Sequence, residues 1–320
     1  MSGGPVARID AGTYGVAVHE LTTIEQLAAI EAADRIGVRA IWLTTGGVGP
    51  DALTLFAAAA VRTHQIVMGT GITPTFPRHP LVVVQQAHTI ASLAPGRFRL
   101  GIGPSHKPGI ESMFGIPFER PLQHLREYTR IARSALQVGP FDFTGERFTV
   151  KGKLSNPPGI PVMVSALRPT SFHLAGEISD GGLAWICPLP YLRDHALPAL
   201  TAGAAVAGRE KPPMIGHCFA AVHDDLSAVR AEGKARLGFY LRAPFYQEMF
   251  AQAGYPEARE GTVSDGIVDA IVVGGSEERV ADGLRAYTAA GMDEMIVSTL
   301  VVGDDRKKSY ERTMRLVASL

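Results

Sequence analysis

Eight short apolar runs in the chain end in residues whose types could take part in chemistry. His19 and Glu20 follow the run at 14–18, and Thr44, Thr45, Gly46 and Gly47 close the one at 40–44. Thr70, Gly71, Ile72 and Thr73 end the run at 66–70; Gly103, Ser105 and His106 follow 98–102. Ser165, Ala166, Leu167 and Arg168 follow 162–165, Trp185 and Cys187 end 182–186, His223 follows 215–220, and Thr299 follows 294–298. Strand-to-helix turns need glycine and small polar residues in any case, so one such turn says little. Together these ends read as the floor of a ligand site. They carry no carboxylate pair for acid–base work, and that pattern favours a reaction run by a bound cofactor. Motifs for other chemistries are missing. The Gly69-x-Gly71 and Gly101-x-Gly103 pairs lack the third glycine of a dinucleotide fingerprint, since Pro74 and His106 stand there. Phosphate-loop, zinc-protease, esterase-elbow and EF-hand patterns are absent as well.

The runs are β-branched and alternate with amphipathic stretches, the pattern of parallel strands joined by helices. Helices are predicted at 23–36, 50–62, 80–93, 121–136, 169–178, 191–207, 224–240, 277–290 and 306–317. Thr22 and Glu25 have capping-box spacing, and Pro50, Pro80, Pro121 and Pro169 suit a first helical turn, where no amide donor is needed. Eight β-then-α units predict a single domain over 1–320 folded as a (β/α)₈ TIM barrel; a doubly wound open sheet is the rival. Three segments, 104–120, 140–160 and 243–269, fall outside the alternation, and the second carries a hairpin-like stretch at 141–150. Such insertions belong over the C-terminal mouth of a barrel, where they act as lids.

Composition narrows the classes further. Lys and Arg total 31 against 31 Asp and Glu, so no positive field collects nucleic acid. Every apolar run is broken well before the roughly 18 residues of a membrane span, and the N-terminal sequence has no apolar signal core. The expectation is a cytoplasmic protein acting on a small molecule. Two cysteines, Cys187 and Cys218, make neither a disulfide framework nor a zinc site.

Three stretches carry a resemblance: residues 69–80, GTGITPTFPRHP; residues 93–103, LAPGRFRLGIG; and residues 175–181, AGEISDG. Their order and spacing resemble the bacterial luciferase-like monooxygenase superfamily, and within it the actinobacterial branch dependent on the deazaflavin coenzyme F-420. FMN is the alternative cofactor. The resemblance implies a barrel with insertions, a flavin-like cofactor across the C-terminal mouth, and a homodimer. It implies a non-prolyl cis peptide at Gly71-Ile72 whose bulge supports the deazaflavin, with Thr70, Gly103, Ser105 and Trp185 beside the cofactor. It also implies a phosphate loop at Ala166, Leu167 and Arg168, leading into a helix at Pro169 whose free amides favour an anion. Arg168 adds a charged contact there, or is a solvated loop residue.

The chain departs from relatives that oxidise sugar phosphates. Where those carry an Asp-His pair after the second strand, this sequence has Thr45-Gly46, and where they carry a catalytic Glu after the fourth it has His106. The departures favour a reductase, with a monooxygenase using FMN or a non-catalytic binding protein as alternatives. His106 and then His19 are the candidate proton donors; His19 reads equally as a structural histidine. Trp185 and Cys187, two apart, are expected on one strand face, which is either lumen or helix-facing core. Lys107 is the candidate cation for a polyglutamate tail. The 78–80 stretch, Arg-His-Pro, reads as capping, and Phe114, Ile116, Phe118, Phe245, Tyr246, Met249 and Phe250 in the insertions are expected to form an apolar cover over the site or to hold the insertions down.

Overall fold

The computed structural model describes residues 9, 11–18 and 22–320. Twelve strands form in chain order: β1 Thr13–Ala17, β2 Ala40–Leu43, β3 Val67–Thr70, β4 Thr73–Pro74, β5 Phe98–Gly103, β6 Pro140–Thr144, β7 Thr149–Lys153, β8 Val162–Ala166, β9 Gly182–Ala184, β10 Met214–Val222, β11 Val272–Gly275 and β12 Glu294–Thr299. Eight of them pair in parallel, in the circle β1, β2, β3, β5, β8, β9, β10, β12 and back to β1. These are the eight predicted runs, and their closure settles the choice between barrel and open sheet. Closure follows from burial on both faces. β5 and β10 are buried at every position, so an open edge would leave apolar surface and unpaired amides in water.

The helices are α1 Thr23–Arg35, α2 Ala52–Ala60, α3 Pro80–Leu93, α4 Lys107–Phe114, α5 Pro121–Arg133, α6 Pro169–Ile178, α7 Leu189–Tyr191, α8 Leu197–Val206, α9 Leu226–Tyr240, α10 Pro244–Gln252, α11 Asp265–Asp269, α12 Glu277–Ala289 and α13 Arg306–Ser319. The capping box forms: Thr22 N donates to the Glu25 carboxylate at 2.9 Å while the Thr22 hydroxyl accepts from Glu25 N. Pro80, Pro121 and Pro169 stand in first turns, as expected. Pro50 does not. Asp51 is the cap of α2, accepting from Thr54 N at 3.0 Å, because its carboxylate satisfies an orphan amide that proline leaves untouched. The expected helices at 121–136 and 191–207 are each interrupted by a π-helical turn, at Ser134–Val138 and Leu192–Ala196.

The barrel has two apolar compartments. Ala17, Ala40, Trp42, Met163, Leu183, Ile215 and Ile296 pack together inside it, and a larger cluster lies between barrel and helices. The expected hairpin is β6–β7, antiparallel and apart from the barrel. The 104–120 segment contains α4, and 243–269 contains α10, a 3₁₀ turn at Pro256–Glu260 and α11. Two strands were not expected. β11 pairs with the far end of β10 where β9 has already ended, and the two-residue β4 lies along β5. Among the described residues no helix is long and apolar enough to cross a membrane, and no cluster of His, Cys, Asp or Glu would hold a metal ion.

Candidate active site at the barrel mouth

β3 leads into the mouth, and its last residues are held by their neighbours' ends. The Thr70 hydroxyl donates to Gly101 O at 2.7 Å and accepts from Gly101 N at 2.9 Å. Gly71 N donates to Leu43 O at 2.8 Å, the Thr44 hydroxyl donates to Gly71 O at 2.6 Å, and Thr45 N donates to Ile72 O at 3.1 Å. The Gly71-Ile72 peptide is cis, at the expected position. Ile72 packs half-buried on the lumenal cluster. Across from it, a Cβ on Gly103 would lie 2.1 Å from Ser165 Oγ and 3.3 Å from Ile72 Cδ1, so glycine is needed for these strands to close up. Ser105, half-buried in the next turn, has φ 63°.

Trp185 packs on the lumenal cluster and stacks on His217, with ring centroids 3.7 Å apart. Cys187 does not share its face. β9 ends at Ala184 and Ile186 takes φ 55°, which breaks the alternation on which the expectation rested. Cys187 belongs to the outer core, and burial pushes its thiol well above the ordinary value, as it pushes Cys218 up to about 12. Neither is a nucleophile at neutral pH.

Sequence reasoning missed His217. It is fully buried on β10, two residues from lumenal Ile215, and its Nε2 lies 2.8 Å from Ser298 Oγ on β12. The signal was present: a histidine at every-second spacing within an otherwise apolar, wholly buried strand.

The insertions cover this floor with aromatic rings. Trp185 Nε1 donates to the Tyr240 hydroxyl at 3.3 Å, and the Tyr240 ring meets Tyr246 edge-on at 5.3 Å. His106, the residue before α4, stacks on Phe245 at 5.0 Å and lies edge-on to Tyr246 at 6.2 Å. His106 is exposed, yet the desolvation of its ring beside these aromatics holds its pKa below the ordinary histidine value. Tyr246, Met249 and Phe250 are buried, so α10 is anchored rather than loose. His19 lies outside the described residues. Lys107 is exposed and lies 3.9 Å from Glu111 on its own helix.

A cavity of about 380 Å³ opens where α10 passes the head of α6, lined by Arg168, Pro169, Thr170, Tyr191, Phe245, Glu248, Met249 and Gln252. Ala166 is the last residue of β8 and is buried; the carbonyl of half-buried Leu167 accepts the Tyr191 hydroxyl at 2.9 Å. Arg168 caps α6 in extended conformation with no side-chain capping bond, leaving its guanidinium at the cavity wall. Phe245 lines the cavity and also stacks on His106, so one ring of α10 links the α6 head to the turn after β5. Of the expected site residues, Arg168 lines this cavity, while Gly71, Ile72, Gly103 and Trp185 lie at the strand ends outside its lining. His79, as expected of the 78–80 stretch, caps α3, its Nδ1 accepting from Leu81 N at 3.3 Å.

The barrel is closed and parallel, with a cis peptide at one strand end, and the luciferase-like monooxygenase family model matches residues 8–294. The chain belongs to that family. It is 25% identical over 88% of its length to 5,10-methylenetetrahydromethanopterin reductase of Archaeoglobus fulgidus, covering 91% of that protein. It is 36% identical to the F420-dependent glucose-6-phosphate dehydrogenase of Beutenbergia cavernae, over 52% of each chain. Among solved structures, the coenzyme F420-dependent tetrahydromethanopterin reductase of Methanopyrus kandleri superposes with a TM-score of 0.79 at 21% identity over 97% of both chains, a likeness of fold.

Proposed function

We propose that the protein is an oxidoreductase that uses coenzyme F-420 and transfers a hydride to a small, mostly apolar organic substrate. The observation that carries this reading is the Arg168 cavity at the head of α6, whose lining ring Phe245 stacks on His106 in the turn after β5, so that a candidate anion site lies one ring away from the strand ends. The residues present fit a flavin-like group. A Cβ on Gly71 would be in ordinary van der Waals contact with Trp42 Cε3 at 3.6 Å, so the bare backbone there lies over the indole. When bound, the deazaflavin supplies a hydride at its C5.

The chain's own residues do the rest. Gly71 and Ile72 support one face of the ring, and Trp185 flanks it. The first turn of α6 and Arg168 hold the phosphate, through free amides and a charged hydrogen bond. Phe245 and Tyr246 exclude water, which strengthens every remaining electrostatic contact. An imidazole nitrogen of His106 gives the product its proton. The direction is reductive, because Thr45 and His106 occupy the places where an oxidising site needs its acid–base pair.

The test is a fluorescence titration of the purified protein with F-420 and with FMN, followed by turnover of enones, nitroaromatics and alcohols with reduced and oxidised F-420. Binding and reduction with F-420 are expected. Turnover supported by FMN and oxygen would make the protein a monooxygenase instead.

A further inference from the structure

We infer that Trp42 is the positioning residue of the cofactor platform, its indole locked in the barrel by Glu294 and Arg99 so that the Gly69–Gly71 backbone rests on it. The inference depends on the oxidoreductase reading above and adds to it a residue that does not touch the reacting atoms.

Trp42 is near the end of β2 and is 1% exposed. Its Nε1 donates to Glu294 Oε1 at 2.7 Å, while the other oxygen of that carboxylate pairs with the Arg99 guanidinium. Glu294 and Arg99 are the first residue of β12 and the second of β5, both buried. A residue high on one strand is thus tied to the low ends of two others, and the indole spans the lumen between them.

Glycine surrounds the ring. A Cβ on Gly69 would fall 2.5 Å from Trp42 Cε3, one on Gly71 would be 3.6 Å from the same carbon, and one on Gly15 would be 3.0 Å from Nε1. β3 therefore meets the indole with bare backbone at two positions two residues apart, the spacing of one strand face. The residues after Trp42 clasp the same segment from the side, through Leu43 O, the Thr44 hydroxyl and Thr45 N. Ring below and hydrogen bonds beside fix the position of Gly71.

Filling the lumen does not explain this arrangement. Replacing a buried ion pair by apolar groups of like volume is often neutral or stabilising, so packing alone gives no reason for a charged carboxylate here. An ionised carboxylate is, however, a stronger acceptor for an indole N–H than a neutral group, and it fixes the tilt of a ring that apolar contacts would leave free to rock.

Trp42→Phe keeps an aromatic filler and removes the N–H. Phe56→Leu, in the core outside the barrel wall, serves as a variant of matched melting-temperature loss. F-420 affinity is read by quenching of tryptophan emission, which has only two sources, Trp42 and Trp185, and in Trp42→Phe it is read through Trp185. The dissociation constant of Trp42→Phe is expected to rise about tenfold, and kcat at saturating F-420 to fall with it, while Phe56→Leu holds both near wild type. Arg99→Met combined with Glu294→Gln, which removes both charges of the pair, is expected to reproduce the Trp42→Phe loss in a folded protein. A change in Trp42→Phe under about threefold, or one equalled by Phe56→Leu, overturns the inference and leaves the oxidoreductase reading intact. Wild-type protein that binds F-420 at no concentration overturns that reading, and the inference with it.

Discussion

The barrel interior below Gly71 and the mouth above it are built on opposite plans. Below, Trp42, Glu294 and Arg99 are almost wholly buried, and the indole N–H and both Glu294 carboxylate oxygens are committed within the trio. Above, Arg168 and His106 are exposed, Arg168 lines an open cavity of about 380 Å³, and the ring against His106 comes from an insertion rather than from the barrel. The lower region has one arrangement available to it. The upper one keeps groups exposed that would be better satisfied elsewhere, which is the mark of a surface that completes itself on a ligand. Mutations below should therefore act first on stability, and mutations above on binding and turnover.

Glu294→Ala gives the sharpest separation. It removes the carboxylate that the Trp42 indole and the Arg99 guanidinium share and breaks a buried ion pair, and a stability loss of about 3 to 5 kcal/mol is expected in urea unfolding. A loss under about 1 kcal/mol would mean that water reaches the lumen, and the contrast between the regions would collapse.

Acid offers a second test, on the support behind the platform. His124 of α5 stacks on Phe76 at 4.1 Å, and burial lowers its pKa to about 4. The unfolded chain takes up that proton first, near pH 6.5, so the contribution is complete above this value and is lost as pH falls towards about 4. The loss comes to about 3 kcal/mol, and His124→Phe should flatten that part of the stability–pH curve.

In the mouth, Arg168→Ala should weaken F-420 binding by about 1.5 to 3 kcal/mol with little change in unfolding midpoint. Unchanged affinity with reduced turnover would move Arg168 from cofactor to substrate. The smallest effect is expected at His106. His106→Gln should slow reductive turnover about tenfold, or about 1.4 kcal/mol of barrier. Because the His106 pKa is lowered, the wild-type advantage should grow as pH falls towards it and fade in alkali. A constant ratio across pH would assign the proton to water.

The two regions also differ in how legible they were. The eight barrel strands, the placement of α3 and α6 and the three insertions were readable, because strand and helix periods and proline-marked first turns are local properties. The cis peptide was found through family resemblance and not from periodicity. Pro50 misled because a proline before a helix and a proline inside its first turn look alike until the Asp51 cap is seen. Trp185 and Cys187 misled because alternation was carried past Ala184, where a left-handed Ile186 ends it.

What the sequence determined by itself was the eight barrel strands and most of the helices between them, since each is encoded in residues close together along the chain. Only the tertiary structure decided which distant residues meet: Trp42 with Glu294, 252 positions apart, His217 with Ser298, and His106 with Phe245. The physical reason is barrel closure. It brings the first strand against the last, so side chains that share a lumen or a mouth come from strands and insertions with no local pattern in common.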